Sequence, residues 1–219
     1  MLRSRPLGPT MTPERLLAFG DAVFAIAITL LALGIDVPTG LPEARLSDAL
    51  RDVVPDVGAY LLSFAVIGMH WVIQHGLFAL VGRLDRGLLY LYFALLALIA
   101  ALPFPTRLVS EYGDTALATS VYGGVIALVS VLTSGMALRL LRRPELRGTG
   151  VPAARIRRSV FQGGVVAAVF ATSVPMTLVS PVAAKYWWLL VVPLRFLGGR
   201  DTDPDAPEAT TTDPARVPR

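Results

Sequence analysis

Runs of apolar side chains long enough to cross a bilayer recur along this chain, and they constrain its fold more than any other feature. A helix rises about 1.5 Å per residue, so about 20 apolar residues bridge a hydrocarbon core about 30 Å thick. Five runs reach that length, at about 15–36, 56–81, 87–108, 115–140 and 159–180. A sixth, about 182–198, is shorter. Backbone polar groups in lipid must be satisfied internally, which makes each run a helix. The expected fold is an all-α integral membrane protein with six transmembrane helices. Composition agrees, with 54% apolar and 16% charged residues and a mean hydropathy of +0.60. A water-soluble domain carries more charge than that.

Local signals sharpen the ends of the runs. Thr12-Pro13-Glu14 opens the first with an N-cap residue followed by proline at the first helical position. Lys185 is followed by Tyr186, Trp187 and Trp188, the composition of an interfacial belt. The first run is too long for a cleavable signal and lacks a small-residue cleavage site. The connections then sort by charge. Between the first two runs stand Asp36, Glu43, Asp48, Asp52 and Asp56 against Arg45 and Arg51. Between the fourth and fifth stand Arg139, Arg142, Arg143, Arg147, Arg155, Arg157 and Arg158 against Glu145. The second-to-third link carries Arg83 and Arg86, and the N-terminal segment Arg3 and Arg5. The positive-inside rule places the arginine-rich parts in the cytoplasm, so six crossings put both termini there. The expected organisation is a cytoplasmic segment 1–14, a six-helix domain 15–198 and a disordered cytoplasmic tail 199–219 rich in Pro, Asp and Thr. Such a chain is multi-pass in the cell membrane.

Several functional classes drop out. The net charge of +4 follows from topology and does not argue for a nucleic-acid partner. Without cysteine there is no thiolate metal site, and with His70 and His75 as the two histidines a His-rich metal site is not expected. Ser134-Gly135 in LTSGMA suggests an intramembrane nucleophile, but the flanking glycine is missing and both histidines lie on one distant helix. The chain is not expected to be an enzyme. VYGG at 121–124 loosely resembles a carbonyl filter, yet it sits inside a continuous apolar run, where small residues serve helix contact. No internal repeat supports an inverted-repeat transporter.

What remains is the polarity inside the first run. A charge in an apolar helix is costly and has a partner or a task. Asp21 stands about 9 Å along the axis from Arg15. His70, Trp71, Gln74 and His75 occupy the cytoplasmic half of the second run at comparable depth, on two faces one turn apart. A hydrogen-bonded network of Arg15, Asp21, Trp71 and His75 satisfies the charges. A structural anchor is its simpler role, and a gate is the other. Beyond Asp21, Ile26, Leu30 and Leu33 share a face at i, i+4 and i+7, with Thr29 beside them. Almost every neighbour is apolar, so periodicity alone leaves these residues facing lipid or core.

The stretch RLLAFGDAVFAIAITLL closely resembles the first-helix signature of the transmembrane protein 175 family (domain of unknown function 1211), Arg-x-x-x-Phe-Ser-Asp followed by an apolar run with a Thr. Arg15, Phe19 and Asp21 match, and Gly20 replaces the Ser. YLLSFAVIGMHWVIQH fits the second helix, with Gln74 where the family tends to have His, and LDRGLLYLYFALLALIAALPFPTRLVSEYG fits the third. The resemblance implies a potassium-selective cation channel with six helices per subunit, assembled in the bilayer as a homotetramer around a pore lined by the first helix. It implies no cofactor, potassium being the transported ion. Carried over by position, Ile26, Thr29, Leu30 and Leu33 form the hydrophobic constriction and selectivity region, and Arg15, Phe19, Asp21, Trp71 and His75 the intracellular anchoring network. The competing expectation is a secondary transporter or small-solute permease with the same six helices.

Overall fold

Thr12 starts the first helix as the sequence predicts. In a computed structural model describing residues 12–36, 39–40, 42–191 and 193–194, its Oγ1 accepts the Arg15 backbone N–H at 3.4 Å. The expected tail 199–219 and most of segment 1–14 lie outside the described residues. Among the described residues eight α-helices follow in order: α1 Pro13–Ala32, α2 Glu43–Asp52, α3 Val54–Phe78, α4 Arg86–Ala101, α5 Pro103–Tyr112, α6 Ala116–Arg142, α7 Ala153–Met176 and α8 Pro181–Trp188. Among the described residues there is no strand, only an isolated bridge between Val81 and Arg147.

Four boundaries depart from the sequence expectation, each for a local reason. The acidic link holds the amphipathic α2, none of whose side chains is buried. The third run breaks at Leu102, because Pro103 lacks the N–H that would continue the α4 ladder and instead starts α5. The two pieces together still reach 27 residues, Arg86–Tyr112. α7 begins at Ala153, a turn and a half before the apolar run, with Arg155, Arg157 and Arg158 exposed while Ile156 is buried. In the described part of the sixth run, the eight-residue α8 is about 12 Å long, and residues 191 and 193–194 beyond it are again helical. Its expected last residues, 195–198, fall outside the described residues. Five helical stretches among the described residues are long and apolar enough to span.

Small residues and buried hydroxyls hold the bundle together. A Cβ added at Gly163 on α7 would meet Ser134 Oγ at 2.4 Å, so the glycine is what lets α6 and α7 approach. Ser134 Oγ donates to Ser130 O at 2.9 Å, which makes it a packing serine of the α6–α7 seam. Deeper in, Ser63 on α3 bonds Thr106 on α5 at 2.8 Å and Tyr122 on α6 at 3.1 Å. His70 on α3 bonds Ser130 on α6 at 3.0 Å through Nε2 and Val66 O at 2.9 Å through Nδ1. Trp188 of α8 donates to Ser173 of α7 at 2.8 Å. Each bond satisfies groups that lipid could not.

The arginine-rich end is tied by a polar latch. Asp85 caps α4 by accepting the Leu88 N–H at 2.8 Å and also accepts Arg139 Nε–H at 2.9 Å. The backbone N–H groups of Gly82 and Arg83 donate to Leu146 O at 2.9 and 3.1 Å. Arg147 covers the last α6 carbonyls, donating to Leu140 O at 2.9 Å and Leu141 O at 2.6 Å.

Candidate pore-lining helix

α1 has two unlike sides. Leu16, Gly20, Phe24, Ala27 and Leu31 recur at helical spacing and are buried against the bundle. On the other side Phe19, Ile26, Leu30 and Leu33 are 51%, 58%, 43% and 73% exposed. Thr29 lies among them, exposed, and its hydroxyl donates to Ile26 O at 2.8 Å. The hydroxyl proton is thereby engaged within the helix, which leaves oxygen lone pairs directed outward. The four residues carried over as a constriction thus share one uncovered apolar stripe.

The N-terminal half of α1 is fastened to α3 and α4. Trp71 Nε1–H donates to Asp21 Oδ1 at 2.8 Å, and the His75 ring lies 5.3 Å from the Trp71 ring, centre to centre. Phe19 packs against Phe93 of α4 with ring centres 5.9 Å apart. Arg15 sits in the exposed first turn, where its backbone N–H completes the Thr12 cap. The structure therefore brings Asp21, Trp71 and His75 together and places Phe19 on an α4 aromatic, a contact sequence reasoning missed.

It also missed the group behind Gly20. A Cβ there would lie 1.7 Å from Tyr92 Oη, 2.8 Å from Tyr92 Cζ and 3.2 Å from Gln74 Nε2. The space beside residue 20 is filled by the fully buried Tyr92, whose hydroxyl accepts a hydrogen bond from the Gln74 amide. Tyr92 in turn packs on Phe78, ring centres 4.7 Å apart. Gly20 and Gln74, two of the departures from the pattern the resemblance rests on, meet at one tyrosine.

Apolar spans tied by buried hydroxyls, with no group of three His, Asp or Glu that could hold a metal among the described residues, define a polytopic helical membrane protein. A family profile described as the endosomal/lysosomal potassium channel TMEM175 matches residues 15–103. A potassium channel of Streptomyces collinus is 40% identical over 156 residues, which are 68% of this chain and 76% of that protein. The chain belongs to the TMEM175 family. A crystal structure described as a lysosomal potassium-selective channel TMEM175 homolog from Chamaesiphon minutus superposes with a TM-score of 0.73 at 27% identity, covering 85% of this chain and 97% of that one. The chicken protein named endosomal/lysosomal proton channel TMEM175 is 35% identical over 117 residues, 49% of this chain but 23% of its own length.

Proposed function

We propose that four copies of the chain form a potassium-selective channel of the cell membrane, with both termini cytoplasmic and α1 of each copy lining a central pore. The observation that carries this reading is the uncovered stripe of α1. Apart from Thr29 its residues are apolar, they are the positions that the family resemblance carries over as a constriction, and the opposite side of the same helix is committed to the bundle. Around a fourfold axis, Ile26, Leu30 and Leu33 make successive apolar rings. Such rings exclude water when narrow and pass an ion when they dilate, so they act as a hydrophobic gate. A potassium ion sheds water at lower cost than sodium, and the Thr29 oxygens replace part of the lost shell. Passive conduction of this kind needs no cofactor.

Asp21, Trp71 and His75 anchor the helix by its inner end while Phe19 rests on Phe93. The support from relatives lies in the potassium channels of Streptomyces collinus and Chamaesiphon minutus. The test is potassium flux into liposomes carrying the purified protein. Wild type conducts potassium over sodium, and Ile26→Asn, which places a polar ring at the constriction, raises sodium leakage. Flux and selectivity untouched by Ile26→Asn would remove Ile26 from the narrow part of the pore.

A further inference from the structure

A cavity of about 560 Å³ opens at the end of the bundle opposite the arginine-rich connections, between the start of α3, the end of α5 and α8. Its floor is apolar, made by Pro55, Ala59 and Leu62 of α3 and Val109 of α5. Its rim is charged, with Glu111, Asp114 and Lys185. The exposed Tyr112 also lines it, and on α8 Lys185 is followed directly by the exposed Tyr186 and Trp187, the composition of a headgroup-level aromatic belt. We propose that this cavity holds the headgroup of a phosphatidylethanolamine, its phosphate on Lys185 and its primary ammonium on Asp114.

Among the described residues, Lys185 and Asp114 are the rim's loosely held pair of complementary charges. Glu111 is engaged by Arg107 at 2.8 Å, and Asp56 beside the cavity by Ser110. Lys185 Nζ and Asp114 Oδ1 stand 3.6 Å apart, an ion pair longer than a hydrogen bond. Lys185 Nζ is also held over Gly113, the C-cap of α5, within 3.4 Å of where a Cβ would be. That position fixes the ammonium at a helix C-terminus, where a cation is favoured. The Asp114 side chain is 96% exposed and can swing without cost. A zwitterion inserted between the two exchanges one loose pair for two charge-assisted hydrogen bonds and leaves the local charge balanced. Phosphatidylcholine offers no N–H to Asp114, and phosphatidylglycerol offers no cation, so the rim discriminates by headgroup. The apolar floor receives the glycerol and first methylenes, as an amphipathic pocket requires.

The inference needs only that the chain spans a membrane, so it stands or falls apart from ion conduction. The experiment places the full-length protein in nanodiscs of mixed phosphatidylethanolamine, phosphatidylcholine and phosphatidylglycerol and measures, by native mass spectrometry, the lipids that stay bound. Wild type retains phosphatidylethanolamine over phosphatidylcholine by about fivefold, the scale of one partly solvated charged hydrogen bond. Asp114→Asn, at an exposed side chain that the fold does not need, abolishes that preference. Lys185→Gln lowers retention of both lipids. A retained fraction equal to the bulk mixture in wild type overturns the site, and so does a preference that survives Asp114→Asn. Displacement of the lipid by millimolar free phosphoethanolamine would overturn the lipid assignment in favour of a soluble ligand.

Discussion

Tyr92 and Gly20 are a matched pair, one large because the other is small. Adding a side chain at residue 20 drives a Cβ to 1.7 Å from the tyrosine hydroxyl in a site with no exposure, so Gly20→Ser loses about 1–3 kcal/mol by overpacking. The measurement is the thermal midpoint of the detergent-solubilised protein. Adding Tyr92→Phe recovers part of the loss, since the hydroxyl at 1.7 Å goes and only the ring carbon at 2.8 Å is left to move aside. A Gly20→Ser protein as stable as the parent refutes the pairing. Further along α1, Thr29→Val keeps shape and removes the outward oxygen. The proposed pore then keeps its potassium flux but loses preference over sodium in mixed-ion reversal potentials; an unchanged preference discards the role of Thr29. The two residues differ in how visible they are in sequence. Asp21, Trp71 and Thr29 stand out as polar groups in apolar runs. Tyr92 does not, because LLYLYFALL holds three neighbouring aromatics and only the rotation of α4 decides that Tyr92 is buried while Tyr90 is 69% exposed.

Between elements, the latch of Asp85 on Arg139 joins the α3–α4 turn to the end of α6. Burial works to raise the Asp85 carboxyl, but hydrogen bonds from Arg139 and the Leu88 N–H, with the charge of Arg139, outweigh it and hold the group below its ordinary 3.8. A folded-state value below the unfolded one means the stabilisation is complete above about pH 4 and is lost as pH falls through the depressed value. Asp85→Asn keeps the helix cap and removes the charge, so it costs about 3 kcal/mol at neutral pH by stranding a partly buried arginine. The gap in thermal midpoint between wild type and Asp85→Asn stays flat from pH 7 to 5 and closes below pH 4. A gap independent of pH would assign the effect to packing. At this scale the spans are legible in sequence because about 20 consecutive apolar residues leave a chain in lipid few alternatives. The α4–α5 break is signalled by Pro103 without being placed, and α2 is invisible in a link read only for its charge. α2 buries nothing, so no hydrophobic periodicity of core packing announces it.

At the scale of the whole molecule, exposure in a single chain does not separate a surface facing lipid from one facing a water-filled pore, since both are uncovered and apolar. That ambiguity is the physical reason hydropathy leaves Ile26, Leu30 and Leu33 unassigned and only motif spacing nominates them. One copy of the α1 motif cannot surround a symmetric pore alone, which is why the proposal requires several copies of the chain, four by the family resemblance. The two environments differ in one property that chemistry can read. A thiol must reach water and ionise before a charged thiosulfonate reagent modifies it. The chain has no cysteine, so single substitutions report cleanly. Leu33→Cys, 73% exposed at the C-cap of α1, lies in the last of the proposed rings, where it borders the water of the proposed pore mouth, and is modified by a membrane-impermeant cationic reagent, which then blocks potassium flux. Val131→Cys, 53% exposed in the middle of α6 and outside the proposed pore, stays unmodified, with flux unchanged. Equal reactivity at the two sites, or an inert Leu33→Cys, returns the α1 stripe to the lipid and removes the basis for a central pore.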